Sequence, residues 1–220
     1  MFNLDLVQVP KLRQINGEKR YYETPDGNRY PSVTTVLGAM SDKSGLHAWR
    51  KRVGEEEANR VSSRAANRGT AVHKLCEQLI LNRYIDLKSE MPSTISMYNQ
   101  LEMKLLFDVD NVRGSEIQLF SHKLKVAGSC DLIADYKGKA SIIDFKTSAK
   151  EKHKEWIESY FLQATIYSYM FWEMTGILYP QIVIMIAVEE APVPQIFVEQ
   201  AATYLDRARA LCKAYHNKFS

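Results

Sequence analysis

Ala140-Ser141-Ile142-Ile143-Asp144-Phe145-Lys146-Thr147 reads as a β-strand that carries charge where a core is expected. Side chains alternate faces along a strand. Asp144 and Lys146 therefore leave one face, while Ile143 and Phe145 point the other way into a core. Lys137-Gly138-Lys139 ahead of it is a tight-turn signal, and Asp131 to Tyr136 before that reads as another strand. The two are expected to pair as an antiparallel hairpin. Gly128-Ser129-Cys130-Asp131 then sets a second carboxylate at the start of the partner strand, near Asp144. Two carboxylates that close repel unless a proton or a cation sits between them. With Mg²⁺ the pair becomes a hard oxygen site suited to phosphate chemistry, with Lys146 placed to orient or activate water.

An Asp-x-Lys triplet alone is weak, because chance supplies about one in a chain of this length. Asp86-Leu87-Lys88 is a decoy of that kind, and Glu102-Met103-Lys104 lies in helical pattern, where i and i+2 do not share a face. Company strengthens the triplet. In Arg68-Gly69-Thr70-Ala71-Val72-His73, followed by Glu77, the His and Glu are i,i+4 on one helix face. They read either as a surface pair or as a metal-ligating His73, with Gly69 letting another backbone approach closely. Gln163 and Tyr167 repeat the i,i+4 spacing on a helix after the hairpin.

Outward from the hairpin, Tyr21-Tyr22 and Arg29-Tyr30 flank the turn signal Pro25-Asp26-Gly27-Asn28. Ser32 is a suitable N-cap for a short helix ending near Gly38. Helices are expected over 44–52, 55–82 and 95–107, the second with an apolar stripe of Val61, Ala65, Val72, Leu75, Cys76 and Leu79. Strands are expected over 117–121, 124–127, 131–136 and 140–146. A helix over 153–174, strands over 182–188 and 195–198 and a helix over 201–217 complete the chain. This order implies an α/β (α+β) domain with a central mixed, largely antiparallel sheet flanked by helices. No linker or repeat divides it, so 1–220 reads as one domain: a helical N-terminal part to residue 66, a core over 67–200 and a C-terminal helix.

Composition sets the bounds. The 220 residues carry 29 Lys+Arg and 26 Asp+Glu, a net +3, with 45% hydrophobic residues. That mix excludes a disordered chain and a general polyanion sponge, so any nucleic-acid contact must come from where the charges sit. Cys76, Cys130 and Cys212 are widely spaced with no C-x-x-C pair, which argues against disulfides, structural zinc and a four-cysteine iron–sulfur cluster. The N-terminus lacks a signal-peptide pattern, and the longest apolar run, 182–188, is far below the ~20 residues that span a bilayer. A soluble protein of a reducing compartment is expected, with no membrane partner.

In order along the chain, Tyr30-Pro31-Ser32-Val33-Thr34-Thr35-Val36-Leu37, a helix with Trp49, the Arg68-Gly69-Thr70…His73 run, Gly128-x-x-Asp131, Asp144-Phe145-Lys146 and Gln163-x-x-x-Tyr167 resemble the PD-(D/E)xK nuclease superfamily. The resemblance is to its RecB-like branch, with the phage and mitochondrial genome-maintenance exonucleases. It implies a restriction-endonuclease-like core and a metal held by His73, Asp131, Asp144 and the Phe145 carbonyl. Glu116 matches an acidic position of some relatives and reads also as a surface Glu. Lys146 would be the catalytic lysine, with Gln163 and Tyr167 holding it or the DNA backbone. The cofactor implied is Mg²⁺, with Mn²⁺ able to substitute. No iron–sulfur cluster is expected, since the clustered relatives use four cysteines.

The resemblance also implies a bacterial or phage-infected cytoplasm, a DNA partner with free or single-stranded ends, and a single-strand-binding or recombination protein as a further partner. Ser32, Thr34 and Thr35 match a phosphate-touching segment and read equally as helix-capping hydroxyls. Arg60, Arg64 and Arg68 recur every four residues, rising about 5.4 Å each, and lead to Thr70 as a rail for phosphates. A duplex-end 5′→3′ exonuclease, a structure-specific endonuclease and an inactive DNA-binding module remain alternatives.

Overall fold

A computed structural model describes residues 1–219. Three short strands, β1 (Arg13–Ile15), β2 (Tyr21–Glu23) and β3 (Arg29–Pro31), form a small antiparallel sheet. The expected hairpin is present, turning at Gly27 with φ +83°, and β1 adds a strand that periodicity does not announce. Tyr22 and Tyr30 are buried against Ala127, so these rings are packing residues. Helix α1 (Val33–Met40) starts at Ser32, whose Oγ accepts the Thr35 amide at 3.0 Å.

Helices α2 (Ser44–Val53) and α3 (Glu55–Ile80) follow, joined at Gly54 with φ +87°. Only the second half of α3 enters the core. Val72, Leu75 and Cys76 are buried, whereas Val61 and Ala65, expected on the same apolar stripe, are exposed. The 26-residue helix is longer than the core it crosses, so its first half and α2 stand off from the body. Helix α4 (Pro92–Asp108) packs beside α3.

The main sheet has the order β4 (Val109–Ser121), β5 (Val126–Tyr136), β6 (Lys139–Ser148), β7 (Gln181–Val188), β8 (Gln195–Gln200). The strands expected over 124–127 and 131–136 are one continuous strand, β5. Gly128 does not break it, because it pairs with Leu119 while the Tyr167 ring covers it. Asp131 therefore lies mid-strand, not at a strand start. Lys137 and Gly138 take φ +50° and +73°, a two-residue turn that sets the Tyr136–Lys139 register.

After β6, a 3₁₀ turn over Lys154–Trp156 precedes α5 (Glu158–Thr175), so the expected helix starts five residues later than its pattern implied. It ends at Gly176 in the left-handed region and returns the chain to β7, which runs parallel to β6. This β6–α5–β7 crossover is why β7 is buried along its whole length. Helix α6 (Ala201–Phe219) closes the chain. One face of the sheet packs on α1, α5 and α6 and the other on α3 and α4, giving two cores. Residues 3–7 hydrogen-bond along the outer edge of β4, covering a strand that would otherwise offer free amides. Among the described residues no helix is long and apolar enough to cross a membrane.

Candidate metal and active site

The β5–β6 ladder runs from Tyr136–Lys139 up to Leu132–Ile143 and stops there. One step further the register would set Asp131 against Asp144. Instead the Phe145 amide donates to Asp131 Oδ2 at 2.8 Å. The side chain has replaced the backbone partner, and the strands part. On a strand, the N–H and C=O of one residue aim to the same side, so the Phe145 carbonyl also faces this opening.

On its other flank, Asp131 falls opposite Glu116 in the β4 register, between the Ile117–Cys130 and Ser115–Leu132 pairs. Glu116 has φ +47°, an irregular position for a non-glycine residue in a strand. Its Oε2 accepts the Ser129 hydroxyl at 2.8 Å. From α3, His73 Nδ1 lies 3.5 Å from Asp131 Oδ1 and 3.9 Å from Glu116 Oε1. Its ring stands edge-on to Phe145, with centroids 5.9 Å apart. His73, Glu116 and Asp131 thus bring one ligand atom each within 4.8 Å of one another. Gly69, one turn earlier, faces the Thr147 hydroxyl rather than backbone, and a Cβ there would sit at 3.4 Å.

Asp144 is 1% exposed and is not one of this group of three. Oδ1 accepts Gln163 Nε2 at 3.0 Å, and Oδ2 is ion-paired with the Lys146 ammonium. Lys146 lies 5.1 Å above the Tyr160 ring. Gln163 therefore holds Asp144 rather than Lys146. Tyr167 is buried against Gly128.

The charges are tightly linked. Burial would raise Asp131, but the His73 charge and hydrogen bond, helped by Lys146, hold it below the usual carboxylate range. Burial likewise opposes the His73 charge, yet Asp131 pushes the imidazole up to about 9. For Asp144 burial wins over Lys146, and the carboxyl is pushed up to about 6. Burial and the Asp131 charge raise Glu116.

Two neighbours were not singled out from sequence. Tyr160 lies three and seven residues before Gln163 and Tyr167, one helix face, and Ser129 lies two before Asp131 on one strand face. Those spacings were the available signal. Of the phosphate-rail arginines, Arg64 is exposed and Arg60 pairs with Glu57 at 2.8 Å. Arg68 turns inward instead: it is 8% exposed and bonds Glu189 at 2.7 Å. Thr70 and Thr34 are exposed, Thr35 is half-buried and Ser32 is the buried cap of α1.

A profile described as the PD-(D/E)XK nuclease superfamily matches residues 47–217. The chain belongs to that superfamily. The match takes in α3, the whole main sheet and most of α6, the elements that build the site. The human mitochondrial genome maintenance exonuclease 1 is 33% identical over 142 residues, 61% of this chain and 40% of that protein. The mouse protein of the same name is 30% identical over 132 residues, 57% of this chain and 39% of its own length. The chain thus spans less than half the length of these curated relatives.

Superfamily nucleases use divalent metals, and the donor set fits one. Two carboxylates, an imidazole and an aimed backbone carbonyl suit an ion of the Mg²⁺ or Mn²⁺ type. Asp144, whose Oδ2 pairs with Lys146, is a further buried carboxylate on the adjacent strand. All three cysteines are buried and free.

Proposed function

We propose that the chain is a metal-dependent deoxyribonuclease, an exonuclease that hydrolyses phosphodiester bonds from DNA ends and prefers single strands, acting in DNA recombination, repair or replication. The observation that carries this reading is the His73–Glu116–Asp131 cluster beside the buried Asp144–Lys146 pair. The exonuclease names of the relatives add to it. A divalent cation, Mg²⁺ or Mn²⁺, held there would supply Lewis acidity toward a phosphoryl oxygen and would lower the pKa of a nearby water.

The chain's own residues do the rest. Asp131 and Asp144 bind the cation when ionised, together with a neutral His73 and the Phe145 carbonyl, and Glu116 adds a further carboxylate. Lys146, kept charged by Asp144, steers water or stabilises the charge that grows on phosphate. Gln163 fixes the Asp144 carboxylate in its rotamer. Arg60, Arg64 and Thr70 supply phosphate contacts along α3, and Thr34 and Thr35 at α1.

The test is nucleotide release from end-labelled linear and circular single-stranded DNA, with Mg²⁺ or Mn²⁺ and with EDTA. The linear strand should be degraded only with metal, and Asp144→Asn should leave it intact. Degraded circles would indicate an endonuclease. Activity that survives both EDTA and Asp144→Asn would remove the site assignment.

A further inference from the structure

We propose that a cleft between the β4–β5 turn and α6 is a second contact surface for the phosphate backbone of a single DNA strand. The inference rests on the nuclease reading and adds to it where the strand lies away from the chemistry. The cleft holds about 490 Å³ and is lined by Lys123, Lys125, Arg209, Lys213, His216 and Tyr169, with no acidic residue in its lining. Among the described residues Lys123, Lys125 and Lys213 form no ion pair, and the carboxylate nearest Arg209 is Asp206 at 3.8 Å, on a 99% exposed side chain. The adjacent acid, Glu173, accepts the Ser121 hydroxyl and the amides of His122 and Lys123, which braces the turn.

Aromatic rings are interleaved with these cations. Arg209 lies 5.4 Å over Tyr169, Lys123 lies 5.4 Å over Trp172, and the two rings are 5.5 Å apart. Cations that track a backbone beside rings that accept bases are what a single strand needs. The catalytic cluster, by contrast, is dominated by carboxylates, which repel a strand until a cation binds. Lys125 precedes Asp131 by six residues, so along β5 the cleft lies about 20 Å from the cluster. A strand of a few nucleotides would fill the catalytic site without reaching it.

The experiment uses the whole chain and its Lys123→Gln/Lys213→Gln double variant, both changes being on exposed side chains. Fluorescence anisotropy in EDTA measures binding of a labelled strand of about 30 nucleotides across a salt series, and cleavage is followed on strands of about 3 and about 30 nucleotides. For the long strand the variant should bind about tenfold more weakly, and its salt slope should fall by about 1.4, the value for two lost phosphate contacts. Mg²⁺-dependent cleavage of the short strand should not change. A variant equal to wild type on the long strand overturns the cleft alone. So does a variant that loses only a polyaspartate peptide and keeps the oligonucleotide. A wild type that neither binds nor cuts DNA overturns the nuclease reading and the cleft together.

Discussion

The Phe145 amide donates to the Asp131 carboxylate at the point where the β5–β6 ladder ends. One oxygen of Asp131 thus satisfies backbone that strand pairing has abandoned, and the other faces His73. The same residue closes the fold and opens the site.

Substitutions at Asp131 should therefore separate the two roles. Asp131→Asn keeps an acceptor for the Phe145 amide but gives up the charge on which the His73 proton depends; it should abolish metal-dependent cleavage and, in EDTA at pH 9.5, leave the urea midpoint near that of wild type. Asp131→Ala leaves a buried amide unpaired, and should in addition lose about 1–3 kcal/mol of stability. Equilibrium unfolding of both variants beside a nuclease assay checks this.

The His73 imidazole is a pH gauge of the site. Burial lowers its pKa, but Asp131 more than reverses that and holds it at about 9. The folded chain thus keeps this proton longer than the unfolded chain, where His titrates near 6.5. Its contribution is complete below about pH 6.5 and disappears as pH rises through about 9, at most ~3 kcal/mol. Urea unfolding in EDTA at pH 6.5 and 9.5 should show the loss, and His73→Gln should flatten it. Because a cation must displace the same proton, metal affinity should rise over that interval.

Gln163 makes the hydrogen bond that orients Asp144. Gln163→Ala should lower kcat about 10–100-fold with little change in KM, the effect of a residue that positions another. An equal rise in KM would instead place Gln163 on the DNA.

Arg64 and Arg68 share a helix but not an environment. Arg68→Met removes the buried member of a pair whose other member, Glu189, is 39% exposed, and should destabilise the chain by about 1–2 kcal/mol. Arg64→Ala should leave the melting temperature unchanged and weaken DNA binding by a few-fold, with a shallower salt dependence. Thermal melts and anisotropy titrations together assign the two roles.

Much of the site was legible because local spacing encodes it. Asp144 and Lys146 share a face by strand alternation, Gln163 follows on the next helix, and Ser32 caps α1 as its position implies. The continuity of β5 was not legible: Gly128 has the chemistry of a break, and only the Tyr167 ring across the sheet shows that it is a contact. The exposed half of α3 was misjudged for a related reason, since an apolar stripe records helical period but not the length of the core beneath it.

The sequence by itself determined the order of elements, the residue types of the proposed divalent-metal site and the hairpin that joins two of its carboxylates. Those depend on contacts within a turn or a tight hairpin. Only the tertiary structure decided which groups meet: that Glu116 completes the cluster with His73 and Asp131, that Asp144 is held by Gln163 and Lys146, and that Arg68 turns inward to Glu189. Each of those pairings joins separate elements, so it depends on strand register and on how helices pack across the sheet, and no spacing along the chain records either.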